Sequence, residues 1–169
     1  MKYSVLSLLS SLIIFSYFSP FVGADFRLRL YWEEGYDWQG EKKERKWCIH
    51  CDNCKKGKIL LIKKCGDSSR QQWKFYKDRN DMIQSDRDND DGKLCFERDG
   101  NRIKTEKCDE DEKKQRFDLD GTKSKFQIHP YDKEDDCVTQ HHHPKDEEEI
   151  KTEPCKTAEK DDTSYWRAD

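Results

Sequence analysis

The sequence predicts an all-β protein built from three copies of one four-stranded unit. Three observations carry that reading. A short block, Ile103-Lys104-Thr105-Glu106-Lys107-Cys108, returns as Ile150-Lys151-Thr152-Glu153-Pro154-Cys155 and, more loosely, as Leu60-Leu61-Ile62-Lys63-Lys64-Cys65. Each block is preceded by another cysteine (Cys48, Cys95, Cys137) and followed by an aromatic residue (Trp73, Phe117, Trp166). Turn-forming Gly, Asp and Asn separate short alternating segments, and no long stretch has helical period. Recurrence about every 45 residues marks an internal triplication. In each block an apolar residue stands five before the cysteine and Ile62, Thr105 or Thr152 three before it. Period-two spacing puts those positions, and the one just before the cysteine, on a single strand face.

The chain opens with a segment that reads as a secretory signal peptide over residues 1–24. Lys2 supplies the positive start, an uncharged apolar and serine-rich run follows, and Val22-Gly23-Ala24 offers small residues for cleavage before Asp25. Residues 25–169 form one domain, with repeats at about 25–77, 78–120 and 121–169. Once the signal is removed, no stretch is long and apolar enough to span a bilayer as a helix.

Strands follow in order. In residues 26–32, Phe26, Leu28, Leu30 and Trp32 alternate with polar residues, which predicts a half-buried strand with Arg27 and Arg29 outward. The other strands of the first repeat are 47–50, 58–65 and 72–77. The second repeat places strands at 82–85, 94–97, 102–107 and 116–119, with a tight hairpin at Asp99-Gly100-Asn101. The third places them at 125–129, 137–140, 149–153 and 165–167; residues 109–114 fit a single helical turn. One such unit cannot bury its apolar face alone, so three copies must share a core.

Composition bounds the partners. Charged residues make up 41% of the chain and mean hydropathy is −1.23, too polar for a large core. Eight cysteines and a secretory start point to covalent staples instead. The triplication favours one bridge within each repeat, Cys48–Cys65, Cys95–Cys108 and Cys137–Cys155, leaving Cys51–Cys54. The clustering of Cys48, Cys51 and Cys54 leaves other pairings open in the first repeat. A net charge of −3, with both signs interspersed, argues against nucleic acid as a partner.

Around the second cysteine of each repeat the pattern continues as Gln71-Gln72-Trp73, Gln115-Arg116-Phe117 and Ser164-Tyr165-Trp166. A cysteine, an apolar strand, a second cysteine and then Gln-x-Trp, three times over, resembles the ricin B-type lectin family. The resemblance covers the whole of residues 25–169 and implies a β-trefoil in which Gln71, Trp73, Gln115, Phe117 and Trp166 serve the fold. It also implies non-catalytic binding of a glycan or glycoprotein, with no cofactor. Such a family site sets an acid two residues after the first cysteine, where this chain has His50, Glu97 and Thr139. It sets an aromatic plate two before the second cysteine, where Lys63, Glu106 and Glu153 stand, and an amide before Gln-x-Trp, where Arg70, Lys114 and Thr163 stand. No repeat carries the usual set. Glu97 alone has the family's charge, so Glu97, with Asn101 in the following hairpin, is the leading ligand candidate, ahead of His50 and Thr139. Tyr31, Trp32, Tyr36, Trp38 and Tyr131 are alternative aromatic plates. The competing reading is a trefoil that has lost sugar recognition and binds or inhibits a protein.

Other constellations read as structural. Cys48-x-x-Cys51-x-x-Cys54 lacks the second ligand pair that zinc needs. His141 and His143 share one side of an extended loop, next to Glu147, Glu148 and Glu149, which reads as a solvated segment. Asp86, Asp88, Asp90 and Asp91 precede Gly92, but the glycine stands at the seventh position rather than the sixth of a calcium loop. No Ser or Cys nucleophile is paired with a base at an interpretable spacing.

Overall fold

The computed structural model describes residues 25–31, 46–87, 92–140, 144–160 and 163–169. The signal-like segment, Trp32, Tyr36, Trp38, Asp88, Asp90, Asp91, His141 and His143 lie outside the described residues. The first unit comprises β1 (Leu28–Leu30), β2 (Trp47–Cys51), β3 (Lys58–Lys64) and β4 (Trp73–Phe75). The second comprises β5 (Ile83–Ser85), β6 (Leu94–Asp99), β7 (Arg102–Lys107) and β8 (Phe117–Thr122). The third comprises β9 (Lys125–Pro130), β10 (Asp136–Thr139), β11 (Lys151–Pro154) and β12 (Trp166–Ala168).

Pairing closes these units around an approximate threefold axis. β3 pairs with β7, β7 with β11, and a bridge from Leu61 to Glu149 returns to β3. The last strand of each unit pairs antiparallel with the first of the next: β4 with β5, β8 with β9, and β12 with β1. This arrangement is a β-trefoil. Among the described residues no helix is long and apolar enough to cross a membrane.

The repeat block is what builds the shared core. Leu60, Ile103 and Ile150 are fully buried in one cluster with Leu28, Ile49, Ile83, Phe96, Phe126 and Val138. Ile62, Thr105 and Thr152 are buried beside them. Thr105 keeps its hydroxyl satisfied by the carbonyls of Lys55 and Lys58, at 2.7 and 3.2 Å. The shared face ends sooner than the spacing predicts: Lys64, Lys107 and Pro154 are exposed, because the strand leaves the core as it turns to its cysteine.

Four disulfides join Cys48 to Cys65, Cys51 to Cys54, Cys95 to Cys108 and Cys137 to Cys155. In the first two repeats the glutamine after the second cysteine then ties down the backbone on either side of that cysteine. Gln71 accepts from the Gly66 N–H at 2.8 Å and donates to the Lys64 carbonyl at 2.9 Å. Gln115 makes the equivalent bonds to the Asp109 N–H and the Lys107 carbonyl, both at 2.8 Å.

Two departures from the sequence expectations have physical causes. Arg29, which alternation turns outward, is buried, because β1 is paired on both sides and Asp169 reaches its guanidinium at 2.9 Å. A short helix, α1 (Cys155–Lys160), follows β11. At six residues with only Ala158 buried, it leaves no periodic apolar signature. This helix stands where the third repeat lacks its glutamine. A helix satisfies much of its own backbone, so no side-chain amide is required there. The Thr163 N–H and hydroxyl both bond to its Ala158 carbonyl, at 3.0 and 3.2 Å, and Ser164 instead accepts from Gln127 at 3.0 Å.

Candidate functional site

The family's ligand positions are largely engaged internally in the second and third repeats, and in part in the first. In the second, Glu97 on β6 accepts from Gln115 Nε2 at 2.9 Å through one oxygen and meets Lys104 Nζ at 3.1 Å through the other. Glu106, at the plate position, pairs with Lys56 at 3.1 Å and Lys104 at 3.5 Å. Asn101 follows Gly100 in a two-residue hairpin turn that has Gly100 at φ 64°. The Asn101 carbonyl accepts from the Thr152 N–H at 2.9 Å, and the residue is exposed. In the third repeat Thr139 is buried, its hydroxyl 2.8 Å from Thr163 Oγ1 and 3.2 Å from Glu153 Oε1.

In the first repeat His50 on β2 is only 5% exposed, and neither ring nitrogen has a partner among the described residues. Lys63 pairs with Glu147 at 2.9 Å, and Arg70 lies 3.8 Å from Asp52. Burial, and then the positive charges of Lys63 and Arg70, hold the His50 imidazole below its usual value near 6.5; Asp52 and Asp146 oppose them. A group that binds its proton less readily when folded costs stability as the pH falls below its unfolded pKa. Unfolding free energy should therefore decline from about pH 6.5 downward. Urea titrations at pH 7 and pH 5 should show a smaller decline for His50→Leu than for the wild type. Equal declines would remove His50 from the account.

An open cleft lies elsewhere, on the outer face of the β8–β9 hairpin. Its volume is about 340 Å³ and it is lined by Asp118, Asp120, His129, Tyr131 and Glu134, within the usual range for small-ligand pockets. Alternation along β8 creates its floor: Phe117 and Leu119 turn to the core, so Asp118 and Asp120 turn outward. His129 stands opposite Asp118 in the ladder. Gly121 permits the hairpin to close. Its φ is 131°, and a Cβ there would sit 2.5 Å from the Lys125 carbonyl oxygen.

Tyr131 forms the wall. At 46% exposure it is the one exposed large apolar side chain among the described residues. Its neighbour Asp132 fixes that turn through a two-pronged pair with Arg98 of β6, whose Nε lies 2.8 Å from Asp132 Oδ1. Both side chains are only 16% exposed. The Arg98 hydrogen bond holds the Asp132 carboxyl below its usual range despite burial. The carboxylates of Asp118, Asp120 and Glu134, in contrast, have no hydrogen bond or ion pair among the described residues.

Of the cleft residues, Tyr131 alone is a candidate from the sequence. The outward pair Asp118 and Asp120 was visible in the alternation of residues 117–120. His129 and Glu134 had no local signal, since they reach the cleft through the β9 ladder and the turn beyond it. His129 also lies 3.5 Å from Cys155 Sγ and 3.9 Å from Cys137 Sγ. Those three residues are close enough to hold a metal ion, but sulfurs joined in a disulfide are not the thiolates that bind one.

Comparison with known proteins places this architecture. A family model for the cytolethal distending toxin A/C domain matches residues 77–167, more than half of the chain. No curated protein matches it in sequence. Among solved structures, the designed threefold symmetric protein ThreeFoil aligns with a TM-score of 0.59 at 11% identity, over 85% of this chain and 96% of that one. A mosquitocidal holotoxin aligns with a TM-score of 0.56 at 9% identity, over 86% of this chain and 17% of its own length. At such identities both likenesses speak to fold alone. With the family match spanning the second and third repeats and the trefoil described above, the chain belongs to the cytolethal distending toxin A/C domain family.

Proposed function

We propose that this protein is a secreted, non-catalytic carbohydrate-binding domain of toxin type, and that it holds its glycan in the β8–β9 cleft. The observation that carries the reading is the exposed ring of Tyr131 beside two outward aspartates that have no partner among the described residues. A sugar presents an apolar ring face and a rim of hydroxyls. Tyr131 covers the face, and Asp118 and Asp120 accept from the rim. The signal-like residues 1–24 and the four disulfides support export. Glu97 enters this reading as a positioning residue for Gln115, since both its oxygens are engaged.

The second reading, a trefoil that binds a protein instead of a sugar, is favoured by one observation: the acids at the inherited ligand positions, Glu97, Glu106 and Glu153, are engaged in internal contacts. A glycan array of the oxidised protein separates the two. Wild-type signal that falls roughly tenfold or more in both Tyr131→Ala and Asp120→Asn supports the cleft. Signal lost in Glu97→Ala but kept in Tyr131→Ala would return the site to the second repeat. Silence across all sugars by folded protein would favour the protein partner.

A further inference from the structure

The repeats supply an internal control on disulfide chemistry. Cys48–Cys65, Cys95–Cys108 and Cys137–Cys155 occupy equivalent places, with Cα separations of 5.0, 5.0 and 4.9 Å. In each, the first cysteine is fully buried and the second is partly exposed. Cys51 and Cys54 are both fully buried. Access therefore does not distinguish the three long bridges. What differs is the surroundings of the third. Of the two histidines among the described residues, His50 has no hydrogen-bond partner among those residues for either ring nitrogen, and His129 lies against the Cys137–Cys155 sulfurs.

The ring is also oriented. His129 Nδ1 lies 3.2 Å from the Glu134 carbonyl oxygen, which only accepts, so Nδ1 carries a proton. The other ring nitrogen, Nε2, lies 4.0 Å from Cys137 Sγ. We propose that Cys155 is a modification site for small thiols, opened with His129 as the proton donor to the departing Cys137 sulfur.

In the first step an external thiolate attacks the partly exposed Cys155 Sγ. A new sulfur–sulfur bond forms to Cys155, the Cys137–Cys155 bond breaks, and its electron pair leaves on Cys137. Protonated His129 gives its Nε2 proton to that sulfur, which lowers the cost of the leaving thiolate. A second thiol then displaces Cys155. Two external thiols are oxidised to one disulfide, and the protein disulfide is reduced to two thiols. Asp118, Asp120 and Glu134 face His129 from β8 and the turn after β9, and no lysine or arginine is among the described residues that line the cleft. A cationic thiol such as cysteamine is therefore favoured over anionic glutathione.

The test treats full-length oxidised protein with limiting cysteamine or glutathione, quenches with an alkylating reagent, and maps each cysteine by mass spectrometry over time. The mixed disulfide is expected on Cys155, with Cys137 free, about tenfold sooner than any product at Cys65 or Cys108. Cysteamine should outpace glutathione more at this bond than at the others. His129→Gln should slow this bond to the pace of the other two and leave theirs unchanged. Equal rates for the three bonds, a mixed disulfide on Cys137, or an unchanged order in His129→Gln would overturn the proposal. Where the variant opens all bonds together it has lost its fold, and the order in the wild-type protein, with its dependence on thiol charge, decides.

Discussion

Trp73→Ala should lower the unfolding free energy by about 4 kcal/mol, one of the largest single-residue effects in this chain. Trp73 is fully buried in the common core, edge-on to Phe96 with ring centroids 4.7 Å apart. Its Nε1 donates to the Ile49 carbonyl at 3.3 Å. Truncation thus removes a large apolar volume, an aromatic contact and the partner of a buried carbonyl at once. Trp73→Phe separates these parts. It keeps most of the volume and loses the N–H, and should cost about 1–2 kcal/mol. The second repeat already carries that exchange, as Phe117, also fully buried at the equivalent place. Trp166 repeats the tryptophan bond in the third unit, donating to the Val138 carbonyl at 2.8 Å. Urea denaturation of the oxidised proteins measures both variants. A cost below about 1.5 kcal/mol for Trp73→Ala would mean that the core does not depend on this ring as its burial implies.

Removing the Cys95–Cys108 bridge by a paired substitution to alanine should cost about 3 kcal/mol. The bond spans a sequence separation of 13, and in the chain-entropy account a loop of that size restricts the unfolded state by about that much. The native state is also affected. The bridge links β6 to the end of β7, beside the residues that Gln115 ties down. Those hydrogen bonds persist in the variant, so the loss should appear as a lower denaturation midpoint with the native fold retained. Near-ultraviolet circular dichroism at low denaturant, followed by a urea titration, makes the comparison. A variant as stable as the wild type would show that the bridge restricts an unfolded chain already restricted by other means.

The oxidised state of the cysteines matters to both expectations. A domain this polar has limited apolar surface to bury, so covalent loops and a few large rings carry much of its stability. In reducing conditions the same chain should be markedly less stable, and the first bond to open decides which unit loosens. The bridge beside His129 belongs to the third unit, whose β10–β11 hairpin and α1 it holds together.

How much of this was legible in the chain follows from the kind of interaction involved. The three copies, the strand faces of Leu60, Ile103 and Ile150, and the hairpin at Gly100-Asn101 all rest on spacing along one strand or one turn. Period-two alternation and turn chemistry act over a few residues, and the letters record them directly. The lectin-like kinship rested on the same local pattern. The burial of Arg29, by contrast, depends on Asp169 arriving from the far end of the domain. The engagement of Glu97 depends on where Gln115 and Lys104 lie once the second repeat has folded. Helix α1 is too short to print a period of its own.

By itself the sequence determined a triplicated, disulfide-linked β domain with a common core, because repetition and alternation are properties of neighbours along the chain. Only the tertiary structure decided which acids are spent on internal pairs and which stand open. It did so because ladder pairing alone brings Asp118, His129 and Tyr131 to one hollow and sets that histidine against a sulfur pair.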